Sequence, residues 1–526
     1  MQKKKYQRRD MLQKLSVVGG TLLVSGCGQE NRESKQAPKD GTTSATENST
    51  SIIEDLPDHL KESHFVVHNK NPLGLESRRE IQTSSPITPL QKLFVRNNLP
   101  MPSEDIIENA KEWTLSIESK TIRLAELQTL PISHETMVLQ CSGNGRGFFG
   151  HKASGSPWKT GAAGCVMWTG VRISDVIEYL GIDIQKQEAN YLTATGGDPL
   201  PDGVDKNKVI VERSIPILKG LRDCLLAWEV NGMPIPLTHG GPLRLVVPGY
   251  FGCNQIKYVK SISFTKEQSQ AKIQRTGYRF RPIGEKGSPD QPSMWRMPVK
   301  SWLFGPQTVS EKANVFFGVA FSGERGIREV LFSIDDGTTW NNAKLLSPDL
   351  GNNAWQSFCL RCELPIGKHR IFTKAMDREG DVQPEHRVEN ERGYGHNGWR
   401  DHALFVDVVD REELVESSKT SKEKPIVPVS DSTQTTKHIS LSEAGTRGET
   451  LFRTGTQPNC GSCHTLEHAK TQGVVGPNLN QLQPTKEQIQ KAVQHGVGAM
   501  PEFSGQLTEK QISDIATYII ETTQKP

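Results

Sequence analysis

Surplus charge is what this 526-residue chain has least of: 63 lysines and arginines stand against 60 aspartates and glutamates, leaving a formal net charge of +3. A protein that holds nucleic acid must neutralise phosphates, and no basic surplus exists here to do so. Nucleic acid is therefore excluded as the main partner, and any anion site has to be built from locally placed arginines. Cysteine is sparse as well. Nine residues, irregularly spaced in so long a chain, do not read as a disulfide framework. The apolar run from about Leu15 to Val24 falls short of the roughly 20 residues needed to cross a bilayer. No internal repeat is present. What remains, 35% hydrophobic and 23% charged residues, fits a soluble globular protein of about three or four domains.

The N-terminus reads as an address and is kept out of the fold argument. Lys3, Lys4 and Lys5 lead to Arg8-Arg9-Asp10-Met11-Leu12, which resembles a twin-arginine export signal, and the short apolar run follows. Val24-Ser25-Gly26-Cys27 then looks like a lipoprotein cleavage box. The expectation is a signal peptide over residues 1–26, lipid on Cys27, and an exported protein anchored to a membrane on the periplasmic or cell-surface side. Residues 27–55, rich in Ser, Thr, Glu and Lys, read as a flexible tether.

The body divides by pattern. Over 56–285, short β-like runs, abundant Gly and Pro and a few helical stretches predict a mixed α+β domain, with Leu243–Val247 a strand between Gly-Pro and Pro-Gly. Over 286–412, strand-like runs at Val315–Phe321, Glu329–Ile334, Gly367–Lys374 and Ala403–Val409 predict a β-sandwich, with a hairpin turn at Asp335-Asp336-Gly337. Residues 413–440 read as a linker, and 441–526 as an all-α domain.

Cys460-Gly461-Ser462-Cys463-His464 is a C-x-x-C-H sequence, the attachment motif of c-type haem. Two thiols bond the porphyrin, and the adjacent histidine is thereby placed under the iron. Gly448 and Phe452 precede it on a predicted helix. Thr485 with Gln488, and Thr508 with Gln511, can cap two later helices. The segment resembles a small class I cytochrome c, which implies Met500 as the sixth ligand, since a thioether raises the reduction potential. His495 and His468 are the competing ligands. A second pair, Cys359 and Cys362, lacks the histidine and lies in a strand, where positions three apart face opposite sides. It reads as structural, leaving one haem.

Composition and periodicity cannot reveal a molybdenum site; here the case is one of resemblance. Leu139-Gln140-Cys141-Ser142-Gly143-Asn144-Gly145-Arg146 resembles the segment of the sulfite oxidase family whose cysteine binds the metal. Phe94-Val95-Arg96-Asn97-Asn98-Leu99-Pro100, Trp168-Thr169-Gly170-Val171 and Leu226–Gly232 match further family landmarks, as does the block from His239 through Arg244 to Lys257. Phe321-Ser322-Gly323 and Ser333–Trp340 look like the family's dimerisation sandwich. The resemblance covers about 330 residues in order and implies a multidomain fold: an α+β molybdopterin domain, an immunoglobulin-like β-sandwich that pairs two copies, and the cytochrome domain.

In residues, the resemblance implies Cys141 as the thiolate on molybdenum, and His239, Arg244 and Lys257 as holders of the pterin phosphate. Arg96, Arg146, Arg392 and Tyr278 would line the substrate pocket. Arginine suits that role because its planar fork binds oxyanions and stays charged. Other arginines, Arg275 and Arg281 among them, read as solvated surface charges. The implied activity is oxidation of sulfite to sulfate, with electrons passing through the haem to an external cytochrome or similar acceptor. Relatives commonly carry histidine where this chain has Asn98, and Gly145–Phe149 is closer to the sulfane dehydrogenase branch. A dehydrogenase of carrier-bound sulfur, with a pocket widened at Asn98 and Phe148-Phe149, therefore stays open. So do the reverse direction, as a sulfoxide reductase with the haem domain as electron entry point, and a non-catalytic electron-transfer lipoprotein.

Overall fold

A computed structural model of the chain describes residues 60–82, 85–197, 210–310, 314–410, 441–473, 476–497 and 500–523. The expected export signal, the expected tether and the expected linker at 413–440 lie outside the described residues.

The first part of the body is mixed α and β, built on two five-stranded sheets. In one, Ile132–Gln140 pairs antiparallel with Ala163–Arg172 through a register running from Ile132↔Val171 to Gln140↔Ala163. Ala163–Arg172 pairs in turn with Leu225–Val230, which also takes Met233–Pro234 and Arg244–Val246 as partners. Arg244–Val246 falls within the strand expected at Leu243–Val247. The second sheet runs Lys120–Arg123, Thr114–Ile117, Val259–Thr265, Tyr191–Gly196, Glu212–Pro216. Apolar residues of both sheets and of the helix Ile173–Leu180 interlock in one core that includes Leu115, Val176, Leu192, Leu226, Leu245 and Ile262, all buried. That helix buries Ile173, Val176 and Ile177, the spacing of one face, and stops where Gly181 takes a left-handed conformation.

From Lys300 to Val409 the chain forms a β-sandwich. A four-stranded sheet (Lys300–Gly305, Asn314–Phe321, Gln356–Cys362, Lys344–Leu345) faces a five-stranded one in which Leu404–Val409, Gly367–Asp377 and Ile327–Ser333 are adjacent. Phe316, Val330, Phe358, Ile371 and Leu404 fill the space between. In Gln356–Cys362 the two cysteines diverge as period-two geometry requires: Cys362 is buried in the core, while Cys359 is only half-buried. The Asp335-Asp336-Gly337 turn forms, and the Asp335 carboxylate accepts from the Thr339 backbone N–H at 2.9 Å.

The C-terminal part is helical. Glu443–Thr454 packs against the last helix, Glu509–Thr523, which buries Ile512, Ile515 and Ile519. Both expected caps are present. Thr485 and Gln488 form a reciprocal capping box on Lys486–His495. The Gln511 N–H donates to Thr508 Oγ1 at 3.3 Å, while Gln511 Oε1 accepts from the Thr508 N–H at 2.8 Å.

Candidate functional site

Cys141 is the first residue past the Ile132–Gln140 strand, so the sheet delivers its thiol to the mouth of a cleft at the strand end. The loop that follows is tied down locally. The Cys141 N–H donates to the Ala162 carbonyl at 3.0 Å, and Asn144 bonds both the Gln140 side chain and the Ala162 N–H. Beneath it the fully buried Lys300 donates to the Asn144 carbonyl at 3.1 Å, and burial pulls its pKa down to about 7. Arg96, Asn97, Asn98, Cys141, His239, Arg244, Cys253, Gln255, Lys257 and Tyr278 all line the cleft.

His239, Arg244 and Lys257 converge on one turn. Arg244 Nη1 donates to the His239 carbonyl, Lys257 Nζ to the Thr238 carbonyl and to Asn97 Oδ1, and His239 Nε2 to the Phe94 carbonyl at 3.2 Å. Gly240 makes the convergence possible. It has φ +95, and a Cβ there would come within 2.5 Å of the Lys257 side chain. Arg244 Nε, Asn97 Nδ2, Asn98 Oδ1 and Gln255 Oε1 are buried without a hydrogen-bond partner. Polar atoms are seldom left so: an anionic group would satisfy the donors Arg244 Nε and Asn97 Nδ2, and N–H groups on the same cofactor the acceptors Asn98 Oδ1 and Gln255 Oε1. Burial pulls the pKa of Arg244 down to about 10.

Beside the cleft, Tyr278 stacks on Tyr394 with ring centroids 5.3 Å apart. Arg146 and Arg392 lie over the Tyr394 ring at 5.3 and 5.6 Å, and Arg213 over Tyr278 at 5.4 Å. Arg146 Nε donates to the Arg392 carbonyl and Nη1 to the Ser156 carbonyl, both at 2.9 Å. Burial, more than any neighbour, lowers the pKa of Arg146 and Arg213 and raises that of the Tyr278 phenol. Among the described residues none of Arg96, Arg146, Arg213 or Arg392 has a carboxylate at ion-pair distance. Cations crowded in low dielectric without counter-charges make a site that favours an entering anion.

A second cavity, of about 380 Å³, is lined by Cys460, Cys463, His464 and Met500 together with Phe452, Leu479, Ile489, Val493, Ile515 and Ile519. His464 Nδ1 donates to the Pro477 carbonyl at 3.0 Å, which would leave Nε2 as the nitrogen available to an iron. Gly476 lies so close that a Cβ would sit 2.3 Å from the imidazole. Paired free thiols, an oriented imidazole and an apolar wall suit a covalently attached haem. Of the competing ligands, His468 is bonded to the Tyr518 hydroxyl at 3.0 Å, and neither it nor His495 lines the cavity. Arg96 and Asn98 line this cavity as well as the first.

Comparison with known proteins points to the same two cofactors. Residues 98–273 match the oxidoreductase molybdopterin-binding domain, 292–406 the Mo-co oxidoreductase dimerisation domain, and 443–519 the subunit III family of cbb3-type cytochrome c oxidase. The chain is 31% identical to mitochondrial sulfite oxidase of Rattus norvegicus over 378 residues, covering 67% of each. With the human mitochondrial sulfite oxidase the identity is 30% over 405 residues, covering 72% of this chain and 71% of that one. The chain belongs to the sulfite oxidase family. It is a molybdopterin oxidoreductase, with molybdenum–molybdopterin and haem c as its cofactors. Its fold also resembles the sulfane dehydrogenase SoxCD of Paracoccus pantotrophus, at TM-score 0.54 and 22% identity over 69% of this chain and 96% of that one.

For a sulfite oxidase family member, the placement of the expected residues is instructive. Cys141, Arg96, Tyr278, His239, Arg244 and Lys257 share one cleft, whereas Arg146 and Arg392 stand one layer behind it against Tyr394. Arg275 is exposed as expected, but Arg281 is not: it is 2% exposed and donates to the Thr276 carbonyl at 3.3 Å. Its chain turns inward to pack near Arg392, which no local pattern signals. Phe148 and Phe149 do not widen the pocket either. Phe148 packs on His396 and His402, and Phe149 on His151 and His396. Sequence reasoning missed Tyr394, Arg213, Cys253 and Gln255. Tyr394, Cys253 and Gln255 lie in or beside recognised motifs and Arg213 beside none, but only tertiary packing brings any of them to the site.

Proposed function

We propose that this enzyme oxidises sulfite to sulfate and sends the electrons one at a time through its own haem to an external cytochrome or similar acceptor. The observation that carries the reading is the wall shared by the two cavities, formed by Arg96 and Asn98. It puts the anion pocket and the haem pocket in contact through two side chains. When bound, the molybdenum centre supplies the two-electron oxidation of sulfur and the haem the one-electron relay.

The chain's own residues do the rest. Cys141 holds the metal as thiolate. His239, Arg244 and Lys257 hold the pterin phosphate by charge-assisted hydrogen bonds. Arg96, backed by Arg146 and Arg392, draws in and orients the oxyanion. Tyr278, whose pKa is raised by burial, keeps its phenolic proton at neutral pH and remains a donor toward the substrate. The same reading includes export through a twin-arginine signal, lipid on Cys27 holding the enzyme to a membrane, and pairing of two copies through the sandwich domain.

Sulfite added anaerobically to cofactor-loaded protein should bleach the oxidised haem spectrum promptly. Cys141→Ser should lose that response while dithionite still reduces the haem. A haem that stays oxidised in the parent protein refutes sulfite as donor, and sulfur-loaded carrier proteins become the substrates to try. The case for those carriers narrows to Asn98, because Phe148 and Phe149 point away from the pocket.

A further inference from the structure

Met500 sits in a stretch that belongs to neither helix nor strand, between Lys486–His495 and Glu509–Thr523. From within the haem domain it is fixed by the Met500 N–H donating to the Val497 carbonyl at 2.9 Å and the Phe503 N–H donating to the Val493 carbonyl at 2.9 Å. Two further bonds come from outside that domain. Lys272 Nζ donates to the carbonyl of Met500 itself at 2.5 Å, and Arg392 Nη1 donates to the Gly496 carbonyl at 3.3 Å. Lys272 is half-buried and immediately precedes Ile273–Gly277, the short helix that leads into Tyr278. The element that sets the pocket tyrosine therefore also holds the backbone of the methionine.

We propose that Lys272 is a positioning residue for the haem's methionine ligand, so that the oxidoreductase body sets how firmly Met500 is held over the iron. The inference rests on Met500 being the sixth ligand. A thioether is a weak ligand, and its hold depends on how little the backbone carrying it can move. A charged donor on that residue's own carbonyl restrains it directly, by a bond stronger than a neutral one. Methionine ligation raises the haem potential. Docked, the haem is then the better electron acceptor for the molybdenum site; released, its methionine loosens, the potential falls and it becomes the better donor to an external acceptor.

The test uses full-length, haem-loaded protein as Lys272→Gln and Lys272→Arg. The readings are the weak methionine-to-iron charge-transfer band of the ferric haem and the midpoint potential. Lys272→Gln should weaken the band and lower the potential. A tenfold loss of the ferrous haem's preference for methionine corresponds to about 59 mV in a one-electron couple. Lys272→Arg, which keeps a charged donor, should restore both. Equal bands and equal potentials in Lys272→Gln and the parent overturn the proposal. A parent protein without the band overturns the Met500 assignment instead. Should Lys272→Gln fail to retain haem, Lys272→Met, which keeps the aliphatic stem, replaces it under the same readings.

Discussion

Arg244→Met removes a buried guanidinium that has no carboxylate at ion-pair distance among the described residues. Arg244 is 3% exposed, donates through Nη1 to the His239 carbonyl, lies over the Trp168 ring at 5.1 Å, and leaves Nε unpartnered. Without the cofactor, burial lowers its pKa from 12.5 to about 10, which is roughly 3 kcal/mol held against the charged form. Methionine keeps much of the stem's packing and gives up one hydrogen bond, worth about 1 kcal/mol. The cofactor-free variant should therefore be more stable than the cofactor-free parent, by roughly 2 kcal/mol on these terms. Loaded protein should move the other way. Losing a charge-assisted bond to the pterin phosphate costs about 1.5–3 kcal/mol, or about 10- to 100-fold in cofactor affinity. Urea midpoints of the cofactor-free and loaded forms, with molybdenum content per chain, measure both effects. Equal destabilisation of the two forms, or undiminished molybdenum in the variant, would refute the assignment of Arg244 to the phosphate.

Gly476→Ala should displace the His464 imidazole, because a Cβ has to come within 2.3 Å of it; the ferric haem spectrum should shift to the high-spin form while Cys460 and Cys463 still retain the porphyrin. Lys300→Met should flatten a pH dependence of stability. The folded pKa of Lys300 is lowered to about 7, so from there to its ordinary 10.5 the unfolded chain binds the extra proton. Parent stability should then rise with pH across that window, by up to about 1.4 kcal/mol per pH unit from this group, and the variant's should rise less in denaturation series run at each pH. Tyr278→Phe preserves the stack on Tyr394, so molybdenum content should hold while sulfite-dependent haem reduction slows about 100-fold in stopped-flow traces.

Much of the architecture was legible in the sequence because it is encoded over short distances. C-x-x-C-H is a covalent requirement read from five adjacent residues, and the Thr485/Gln488 box is a pattern four residues long. The strands of the sandwich show themselves by period-two alternation between turn residues. Cys359 and Cys362 could be read as structural from their parity alone. The cleft residues Cys141, His239, Arg244 and Lys257 were legible through a family pattern rather than through periodicity, since nothing in the local chain says that Cys141 lies near Lys257.

Tertiary structure decided the rest, and the reason is the same in each case. An isolated arginine carries no local sign of its surroundings. Arg281 is buried and Arg275 exposed because of which surfaces close over them, not because of their neighbours in the chain. Phe148 and Phe149 turn from the pocket because His396, some 250 residues further on, offers them a better face. Tyr394 joins the site only because it stacks on Tyr278. The sequence by itself determined the two cofactors and pointed to the elements on which their proposed ligands sit. Only the fold decided that Arg96 and Asn98 wall both cavities and that Lys272 reaches the methionine loop, because a contact between distant segments depends on packing that no segment encodes alone.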